Sequence, residues 1–367
     1  MPALADVVRR YGPTYLERFG RAMPPGHRKV LSAVAVCRTG ELGTVVYECS
    51  DCARQHRIGR SCGNRHCPTC QQNRATAWLE KQTAQLLPCP YFLLTFTLPA
   101  ELRRFVRSHQ HVGYRTLFDA SSAAIKVLAV DPKYVGTPHP GFFGTLHTWG
   151  RSLTYHPHVH YVVPGGGPDA NGSAWLPSRA NFFVPVAALS LIFRTKYRDE
   201  LQQAGLLQQV NPAVWRKQWV VHSKPVGDGR AALKYLAAYV FRVAISNRRI
   251  RSCDDGLVTF AYRKSGSRRW RNCTVHAHEF LRRFLQHVLP AGFQKIRYYG
   301  FVSPNARSSA EKLRWLLALR AGQNFALHAR QPPLTTSPPS LRCAACSGHL
   351  SIIRVVRFAG RACFDTS

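Results

Sequence analysis

Apolar residues recur at helical spacing over the first 36 residues of the chain. Side chains three and four positions apart share one face of a helix, so this spacing predicts helical structure over residues 1–36. Residues 37–70 lack that periodicity, and a second helical pattern covers residues 71–87 before Pro88 and Pro90 interrupt the chain. Prolines of this kind end elements, so we place a domain boundary here. The apolar positions of the first segment are Val7, Val8, Tyr11, Tyr15, Leu16 and Phe19.

After Pro90 the chain mixes strand-length and helix-length apolar segments, which is typical of an α+β domain. Beyond about residue 330 it is rich in proline, serine and threonine, which predicts a linker. We therefore expect a small domain over residues 1–88, a larger α+β domain over 89–325, and a linker with a tail over 326–367. The predicted strands are 91–98, 153–163, 257–262 and 295–301. The predicted helices are 101–127, 186–207, 230–244 and 277–288.

The charge of the chain is strongly one-sided. There are 51 lysines and arginines against 18 aspartates and glutamates, which gives a net charge of +33. Such an excess attracts polyanions, and nucleic acid is the leading candidate partner. An anionic membrane surface and a merely basic soluble surface are the alternatives. The arginines are spread over the whole chain rather than gathered in one tail or amphipathic helix, which favours nucleic acid over a membrane.

No segment predicts a membrane span, because apolar stretches such as Tyr91–Leu98 are far shorter than the roughly 20 residues that a helix needs to cross. The first residues carry charges where a signal peptide would be apolar. We therefore expect a cytoplasmic, nucleoid-associated protein with no membrane partner. In that compartment the 12 cysteines stay reduced, and clustered cysteines indicate metal ligands before disulfides.

Two CxxC pairs occur in the segment without helical periodicity: Cys49 with Cys52, and Cys67 with Cys70. Zn²⁺ prefers four soft ligands in a tetrahedron, and one CxxC turn supplies two of them. The spacing therefore predicts a structural Zn²⁺ held by these four cysteines. Ordinary buried cysteines and a redox pair are the alternatives, but a redox pair leaves the second CxxC unexplained.

Further ligands in the same segment allow a second zinc site. Its two histidines also fit a surface position or a hydrogen bond to the backbone, so both interpretations stay open. A third CxxC pair, Cys343 with Cys346, has no second pair beside it, and we assign it no metal. The candidates for the second zinc site are Cys37, His56, Cys62 and His66.

The segment YHPHVHY, residues 155–161, has the alternation of a strand. Strand side chains alternate faces with period two, so His156, His158 and His160 share one face. A lone histidine would usually be structural, but three in register favour a divalent metal, with zinc, manganese, nickel and cobalt all compatible. Such an ion acts as a Lewis acid on a phosphodiester. The other face, which we expect in the core, carries Tyr155, Val159 and Tyr161.

Residues 230–244 are rich in helix-forming residues and place Tyr235 and Tyr239 four positions apart, on one helical face. Tyrosines at this spacing are usually packing residues. Beside a metal site, however, a phenol can attack a phosphodiester and hold one DNA end as a phosphotyrosine. Basic residues follow, and they suit the lining of a phosphate backbone or a solvated face. They are Arg242, Arg248, Arg249 and Arg251.

Several motifs follow one another along the chain. They are Cys62-Gly-Asn-Arg-His-Cys67-Pro-Thr-Cys70, His147-Thr-Trp149-Gly-Arg151, Tyr155-His-Pro-His-Val-His160, Pro164-Gly-Gly-Gly, Lys234-Tyr-Leu-Ala-Ala-Tyr239, Arg242-Val-Ala-Ile-Ser-Asn247 and Ile296-Arg-Tyr-Tyr-Gly300. Together they resemble the transposases of the insertion-sequence-91 family, and the cysteine motif resembles the zinc-binding domain of that family. The resemblance covers about residues 5–320, and the tail after about residue 330 departs from it.

That family belongs to the HUH endonucleases, which are named for a histidine–hydrophobe–histidine motif. The resemblance implies an antiparallel sheet flanked by helices, preceded by a small helical zinc-binding domain. It implies His158 and His160 as ligands of a catalytic divalent metal such as Mg²⁺ or Mn²⁺. The third ligand is open between His156 and His147.

The same resemblance implies Tyr235 and Tyr239 as nucleophiles, although some relatives use one tyrosine, and the division of labour stays open. The implied reaction is rolling-circle-like transposition through single-stranded DNA, without an external energy source. The expected partners are the single-stranded ends of the element, together with host replication proteins.

Two other functions compete with this interpretation. A transposase of the three-carboxylate kind needs Asp, Asp and Glu around two metals, but the 18 acidic residues form no recognisable constellation. A zinc-finger DNA-binding protein without catalytic activity accounts for residues 37–70 and for the charge. It leaves the histidine and tyrosine motifs unexplained. Nicking of single-stranded DNA with covalent attachment separates these alternatives.

Overall fold

The computed structural model describes most of the 367-residue chain, and the described part separates into two compact units. The described residues are 2–241, 244–263, 266–267, 269–306, 310–322 and 341–357, without the side chains of 72, 73, 238 and 239. Unit 1 comprises residues 1–72, 245–288 and 326–367, and unit 2 comprises residues 73–244 and 289–325. Three separated stretches thus form unit 1, whereas the sequence predicts contiguous domains.

The secondary structure mixes helices and strands along the whole described chain. The helices are α1 (Leu4–Phe19), α2 (Pro25–Ala35), α3 (Gln72–Ala84), α4 (Leu102–Ser108), α5 (Gln110–Val130), α6 (Val186–Gln203), α7 (Arg230–Val240), α8 (Ala277–Leu285) and α9 (Ala310–Arg320). The strands are β1 (Thr44–Cys49), β2 (Gln55–Gly59), β3 (Tyr91–Thr97), β4 (Phe142–Trp149), β5 (Tyr155–Pro164), β6 (Gly166–Pro168), β7 (Trp175–Pro177), β8 (Val220–Pro225), β9 (Ile250–Asp254), β10 (Leu257–Arg263), β11 (Trp270–His276), β12 (Ile296–Tyr299) and β13 (Leu350–Val356).

Unit 1 begins with two helices, α1 and α2, within the segment predicted to be helical, and their apolar faces are buried. Pro25 occupies the first turn of α2, where its missing N–H costs no intrahelical hydrogen bond. Two three-stranded antiparallel sheets follow, in the orders β13-β1-β2 and β11-β10-β9. Strands β1 and β2 of the first sheet belong to the cysteine-rich segment, residues 37–70.

Unit 2 is built on a five-stranded antiparallel sheet in the order β12-β4-β5-β3-β8. One face packs against α4, α5 and α6 in the largest apolar core. The other face packs against α3 and α7, through a cluster that includes Trp78, Phe143, Val162 and Leu233. The prediction of an antiparallel sheet flanked by helices, in an α+β fold, is confirmed.

Strand β4 lies between β12 and β5 in the sheet of unit 2, and the sequence does not predict it. All eight of its residues are buried, so it lacks the polar alternation that marks a half-exposed strand. Gly144 fits there because a Cβ at this position would lie 2.4 Å from Cε1 of Tyr161. The ring of Tyr161 therefore lies directly against the β4 backbone.

Most predicted elements occur within a few residues of the expected bounds. The long helix predicted over 101–127 is divided into α4 and α5 by a break at His109. Elements that the sequence did not predict include β4, β8, β9, β11, β13 and α9. None of the described helices is long and apolar enough to cross a membrane.

Candidate metal and nucleophile site

Three histidines from two neighbouring strands meet in unit 2. His158 and His160 lie on β5, and His147 lies opposite His158 on β4. One ring nitrogen from each lies within 4.8 Å of those of the other two. The ring centroids are 4.6 Å apart between His147 and His160, and 4.9 Å apart between His158 and His160. Three imidazoles at this spacing match a three-histidine metal site.

Hydrogen bonds fix how two of these rings face the cluster. Nδ1 of His158 donates to the carbonyl oxygen of His156 at 2.6 Å, which leaves the Nε2 lone pair of His158 available. Nδ1 of His160 lies 2.8 Å from the hydroxyl of Thr95 on β3. Nε2 of His160 is buried and has no hydrogen-bond partner within the described part of the chain. A buried ring nitrogen without a hydrogen-bond partner fits a metal ligand.

Burial keeps the three imidazoles neutral, which is the form that binds a metal. Burial lowers the pKa of His160 to about 4. Burial, and then the neighbouring His160, hold the pKa of His147 and that of His158 well below the usual range. The donor set therefore fits a divalent ion, and His147, His158 and His160 are the residues that would hold it.

His156, which the sequence also offers as a metal ligand, has a different role in the structure. Its Nδ1 accepts a hydrogen bond of 2.8 Å from the guanidinium of Arg103 on α4. Burial and the Arg103 charge lower its pKa. His156 shares the strand face with His158, as predicted, but the three-histidine cluster contains His147 in its place. His147 lies on β4, which is buried along its whole length. The sequence of β4 therefore lacks the alternation of apolar and polar residues by which a strand is predicted.

Tyr235 lies beside the histidine cluster. It is carried by α7, whose buried residues Leu233 and Leu236 pack with Val162, two positions after His160 on the same face of β5. The ring centroids of Tyr235 and His160 are 6.0 Å apart, with the ring planes at 85°. The side chain of Tyr235 is 45% exposed, so it adjoins the cluster and is also open to solvent.

A tight turn sets the start of α7. Gly229, which precedes the helix, has a φ of +82°, and a Cβ there would lie 2.9 Å from the ring of Tyr91. The Asp228 carboxylate accepts a hydrogen bond from the N–H of Arg230 at 3.0 Å, next to Gly229, which is the N-cap of the helix. Glycine and aspartate together direct the chain from β8 into α7.

The remaining residues predicted for this site are one tyrosine and four arginines, and only some of them are described by the structure. The backbone of Tyr239 lies in α7, one turn after Tyr235, and its side chain is outside the described part. Arg242 also lies outside the described residues. The three remaining arginines belong to unit 1, where Arg248 and Arg251 are exposed and Arg249 donates to the carbonyl of Ala261 at 2.8 Å.

The tyrosines on the far side of β5 lie in the core. The hydroxyl of Tyr155 is 2.7 Å from that of Tyr114, and the hydroxyl of Tyr161 is 2.7 Å from that of Ser121. Burial raises the pKa of both Tyr155 and Tyr161. As the sequence predicts, the histidines and the core residues alternate between the two faces of this strand. Neither buried phenol is open to a DNA substrate.

Eight cysteines of unit 1 form two clusters, and the two CxxC pairs that the sequence places in one site lie in different clusters. The first combines Cys67 and Cys70 with Cys37 and Cys62. Sγ of Cys70 lies 3.5 Å from the sulfurs of both Cys37 and Cys62. Four tetrahedral Zn–S bonds of about 2.3 Å would place sulfurs about 3.8 Å apart, so this cluster fits Zn²⁺.

The other predicted pair, Cys49 with Cys52, lies in a different cluster. There it meets Cys343 and Cys346 of the tail, which the sequence left without a metal. The grouping differs from the prediction because the tail folds back onto β1 as strand β13. No spacing rule links segments so far apart in sequence.

The two histidines considered for a second zinc site also separate. Nε2 of His56 lies 3.2 Å from Sγ of Cys343, beside the second cluster. His66 is buried, and its Nδ1 donates to Oδ1 of Asn64 at 3.2 Å. The structure thus keeps Cys37 and Cys62 of the predicted set together and places its histidines elsewhere.

Two family models match the chain. Residues 7–98 match the family model described as "Transposase zinc-binding domain", and residues 141–310 match the one described as "Putative transposase". The first match covers the first cysteine cluster, and the second covers the three histidines and Tyr235. A structural zinc in the N-terminal region is thereby supported.

Two curated proteins are similar over most of their length. The chain is 39% identical over 327 residues to "Putative transposase y4qJ" of Sinorhizobium fredii, covering 83% of this chain and 81% of that protein. It is 30% identical over 297 residues to the transposase for insertion sequence element IS801 of Pseudomonas savastanoi pv. phaseolicola, covering 75% and 70%. No solved structure matches the chain. The chain belongs to the insertion-sequence-91 family of transposases.

Proposed function

We propose that this transposase cuts single-stranded DNA through a tyrosine nucleophile, Tyr235, held beside a metal bound by His147, His158 and His160. The observation that carries the proposal is the 6.0 Å separation between the rings of Tyr235 and His160. An exposed phenol adjoining three neutral imidazoles is an arrangement suited to phosphodiester attack.

The reaction follows from the chemistry of the phenol. Oη of Tyr235 attacks a backbone phosphorus in line, its proton leaves to solvent, and the bond from phosphorus to the 3′ oxygen breaks. The 3′ oxygen takes a proton and becomes a free 3′-OH, while the 5′ phosphate stays on Oη. Because one phosphoester replaces another, bond energy is conserved and no nucleotide cofactor is needed. Attack by a 3′-OH on the phosphotyrosine reverses the step and joins strands.

The three histidines would hold the metal ion, and hydrogen bonds orient two of their rings. A divalent ion such as Mg²⁺ or Mn²⁺, when bound, supplies Lewis-acid neutralisation of the non-bridging phosphate oxygens. His158 is oriented by the carbonyl of His156, and His160 by Thr95, so both rings keep Nε2 toward the cluster. Tyr239, on the same helix, is the candidate for a second nucleophile that receives the other strand.

DNA binding in this proposal comes mainly from charge. The net charge of +33 favours the phosphate backbone without sequence specificity. Arg248, Arg249 and Arg251 are proposed to contact the strand from unit 1, together with Arg242. We expect the recognised DNA to be the single-stranded ends of the element, with host replication proteins extending the released 3′-OH in the cell.

Nicking of a labelled single strand that carries the flanking DNA of the element tests the proposal. Wild-type protein should nick it only with a divalent ion, and EDTA should stop the reaction. Tyr134→Phe is a matched control, because Tyr134 is a partly buried phenol that packs on the unit 2 core. It should nick like the wild type. DNA binding without any nicking, under all metals tried, would favour the non-catalytic zinc-finger function.

A further inference from the structure

The second cysteine cluster joins parts of the chain that are distant in sequence. Sγ of Cys49 lies 3.3 Å from Sγ of Cys346, 297 residues later, and Sγ of Cys52 lies 3.8 Å from Sγ of Cys343. All four sulfurs fall within 4.8 Å of one another. The match to the zinc-binding domain ends at residue 98, so two of these cysteines lie outside it.

The first of the two CxxC pairs forms a tight backbone turn. The N–H of Ala53 donates to the carbonyl of Cys49 at 3.0 Å, and the N–H of Cys49 donates to the carbonyl of Arg54 at 3.1 Å. Ala53 has a positive φ of 55°, which lets the chain reverse directly after the pair. This turn holds both sulfurs of the pair on one side of the chain.

The CxxC pair of the tail repeats that turn position by position. The N–H of Ser347 donates to the carbonyl of Cys343, and the N–H of Cys343 donates to the carbonyl of Gly348, both at 2.9 Å. Ser347 has a φ of 61°, like its counterpart in the first turn. The N–H of Ala345 also points to Sγ of Cys343 at 3.4 Å, which favours a thiolate there. Two turns of the same backbone geometry thus supply two sulfurs each to the cluster.

Little else in the described structure holds the tail in place. Strand β13 pairs with β1, with Leu350 opposite Cys49, but its last six side chains are exposed. The apolar cluster at the junction contains Cys49, Cys343 and Leu350 with Tyr47 packed against them. An exposed edge strand with so small a core is marginal without a further constraint.

The sulfur distances exclude disulfides and fit a metal. A disulfide bond is about 2.05 Å long, whereas the sulfurs here are 3.3 and 3.8 Å apart across the two pairs. Tetrahedral Zn²⁺ with bonds of about 2.3 Å would place its sulfurs about 3.8 Å apart. Nε2 of His56 lies 3.2 Å from Sγ of Cys343, where an N–H would stabilise a metal-bound thiolate.

We propose that Cys49, Cys52, Cys343 and Cys346 form a second, structural Zn²⁺ site that fastens the tail to the N-terminal cysteine segment. The site takes one pair of ligands from each and is independent of the cluster of Cys37, Cys62, Cys67 and Cys70. The tail is therefore part of the zinc-binding unit. This inference does not depend on the cleavage mechanism.

Counting zinc in the full-length protein and its variants tests the proposal. After removal of loosely bound metal, Cys343→Ser/Cys346→Ser should retain one zinc fewer per chain than the wild type. Cys62→Ser/Cys67→Ser should lose one zinc from the other cluster. Cys253→Ser/Cys273→Ser is the matched control, because these cysteines lie in unit 1 outside both clusters, and it should lose none. An unchanged zinc count in the tail variant would overturn the proposal.

Hydrogen exchange gives a second readout that does not depend on activity. In the tail variant, the amides of β13 should exchange faster by about tenfold or more, while those of α1 and α2 keep wild-type protection. Zinc loss with faster exchange confined to β13 and β1 would support a local metal clasp. Loss of both zinc ions, or unchanged exchange in β13, would contradict an independent site.

Discussion

The hydroxyl of Thr95 lies 2.8 Å from Nδ1 of His160, on the neighbouring strand of the unit 2 sheet. The two residues are directly opposite each other, so the bond holds the imidazole in one orientation. Nε2 of His160 is then directed into the buried cluster with His147 and His158. Partners of this kind raise ligand basicity and fix the tautomer of a metal-binding histidine.

Replacing Thr95 with valine should weaken metal binding without removing a ligand. Val has nearly the same shape but no hydroxyl, so Nδ1 of His160 loses its partner. We expect the divalent-ion concentration for half-maximal cleavage to rise by about 10- to 100-fold in Thr95→Val. Thr95→Ser, which keeps the hydroxyl, should stay close to the wild type. Equal metal dependence in the valine and serine variants would contradict the positioning role.

The choice of the third ligand gives a second prediction. His147→Ala should abolish metal-dependent nicking as completely as His158→Ala, because each removes one of three converging imidazoles. His156→Ala should retain nicking, since Nδ1 of His156 is bonded to Arg103 instead. Cleavage by each variant under a series of Mn²⁺ concentrations is the measurement. A dead His156 variant beside an active His147 variant would reverse the assignment.

Much of this site follows from local sequence patterns. The period of two in residues 155–161 places His158 and His160 together, and the helical spacing of residues 230–244 predicts α7. Such patterns arise because residues close together in the chain alternate between the buried face and the other face of a single strand or helix. That is why the strand, the helix and the shared helical face of Tyr235 and Tyr239 could be predicted.

The features that the sequence missed or left open depend on contacts between distant segments. The choice between His147 and His156 stayed open because His147 lies on a fully buried strand, whose even hydrophobicity does not distinguish strand from helix. The grouping of Cys49 with Cys343 requires β13 to pair with β1 across nearly the whole chain. The spacing of the CxxC pairs predicted instead that Cys49 shares a zinc ion with Cys67, which is nearer in sequence. Pairings of this range are set by the tertiary fold.

Gly144 gives a prediction about stability. Its missing side chain makes room for the ring of Tyr161, which would otherwise lie 2.4 Å from a Cβ. Gly144→Ala should therefore destabilise unit 2 by about 1–3 kcal/mol, through overpacking. Thermal unfolding measures the effect. Gly26→Ala is the control, because a Cβ there meets no heavy atom within 4 Å and alanine favours the helix. Equal melting temperatures for the two variants would contradict the packing argument.

DNA affinity should depend steeply on salt, because lysines and arginines displace counterions condensed on the strand. A site that contacts three phosphates of a single strand should lose roughly 20-fold in affinity between 50 and 200 mM salt. Arg248→Ala should reduce the log–log slope by about 0.7, equivalent to one phosphate contact. Fluorescence anisotropy over a salt series is the measurement. A flat response would show that the +33 charge serves another partner.

The nucleophile is the central element of the account. Tyr235 adjoins His160 and is open to solvent, whereas Tyr155 and Tyr161 are buried in the core. Tyr235→Phe should keep the fold and the DNA affinity of the wild type, because phenylalanine retains the ring and the residue is 45% exposed rather than part of the core. It should lose covalent attachment of DNA, or keep only what Tyr239 supplies. Circular dichroism and the salt titration serve as controls for folding and binding.

The most direct measurement is the mass of the peptide that carries DNA after the protein has reacted with a single strand. We predict a nucleotide adduct on the peptide containing Tyr235, joined through a 5′ phosphate and dependent on a divalent ion. Tyr235→Phe/Tyr239→Phe should form no adduct. An adduct that persists in this double variant, and maps to another residue such as Tyr155 or Tyr161, would contradict the account.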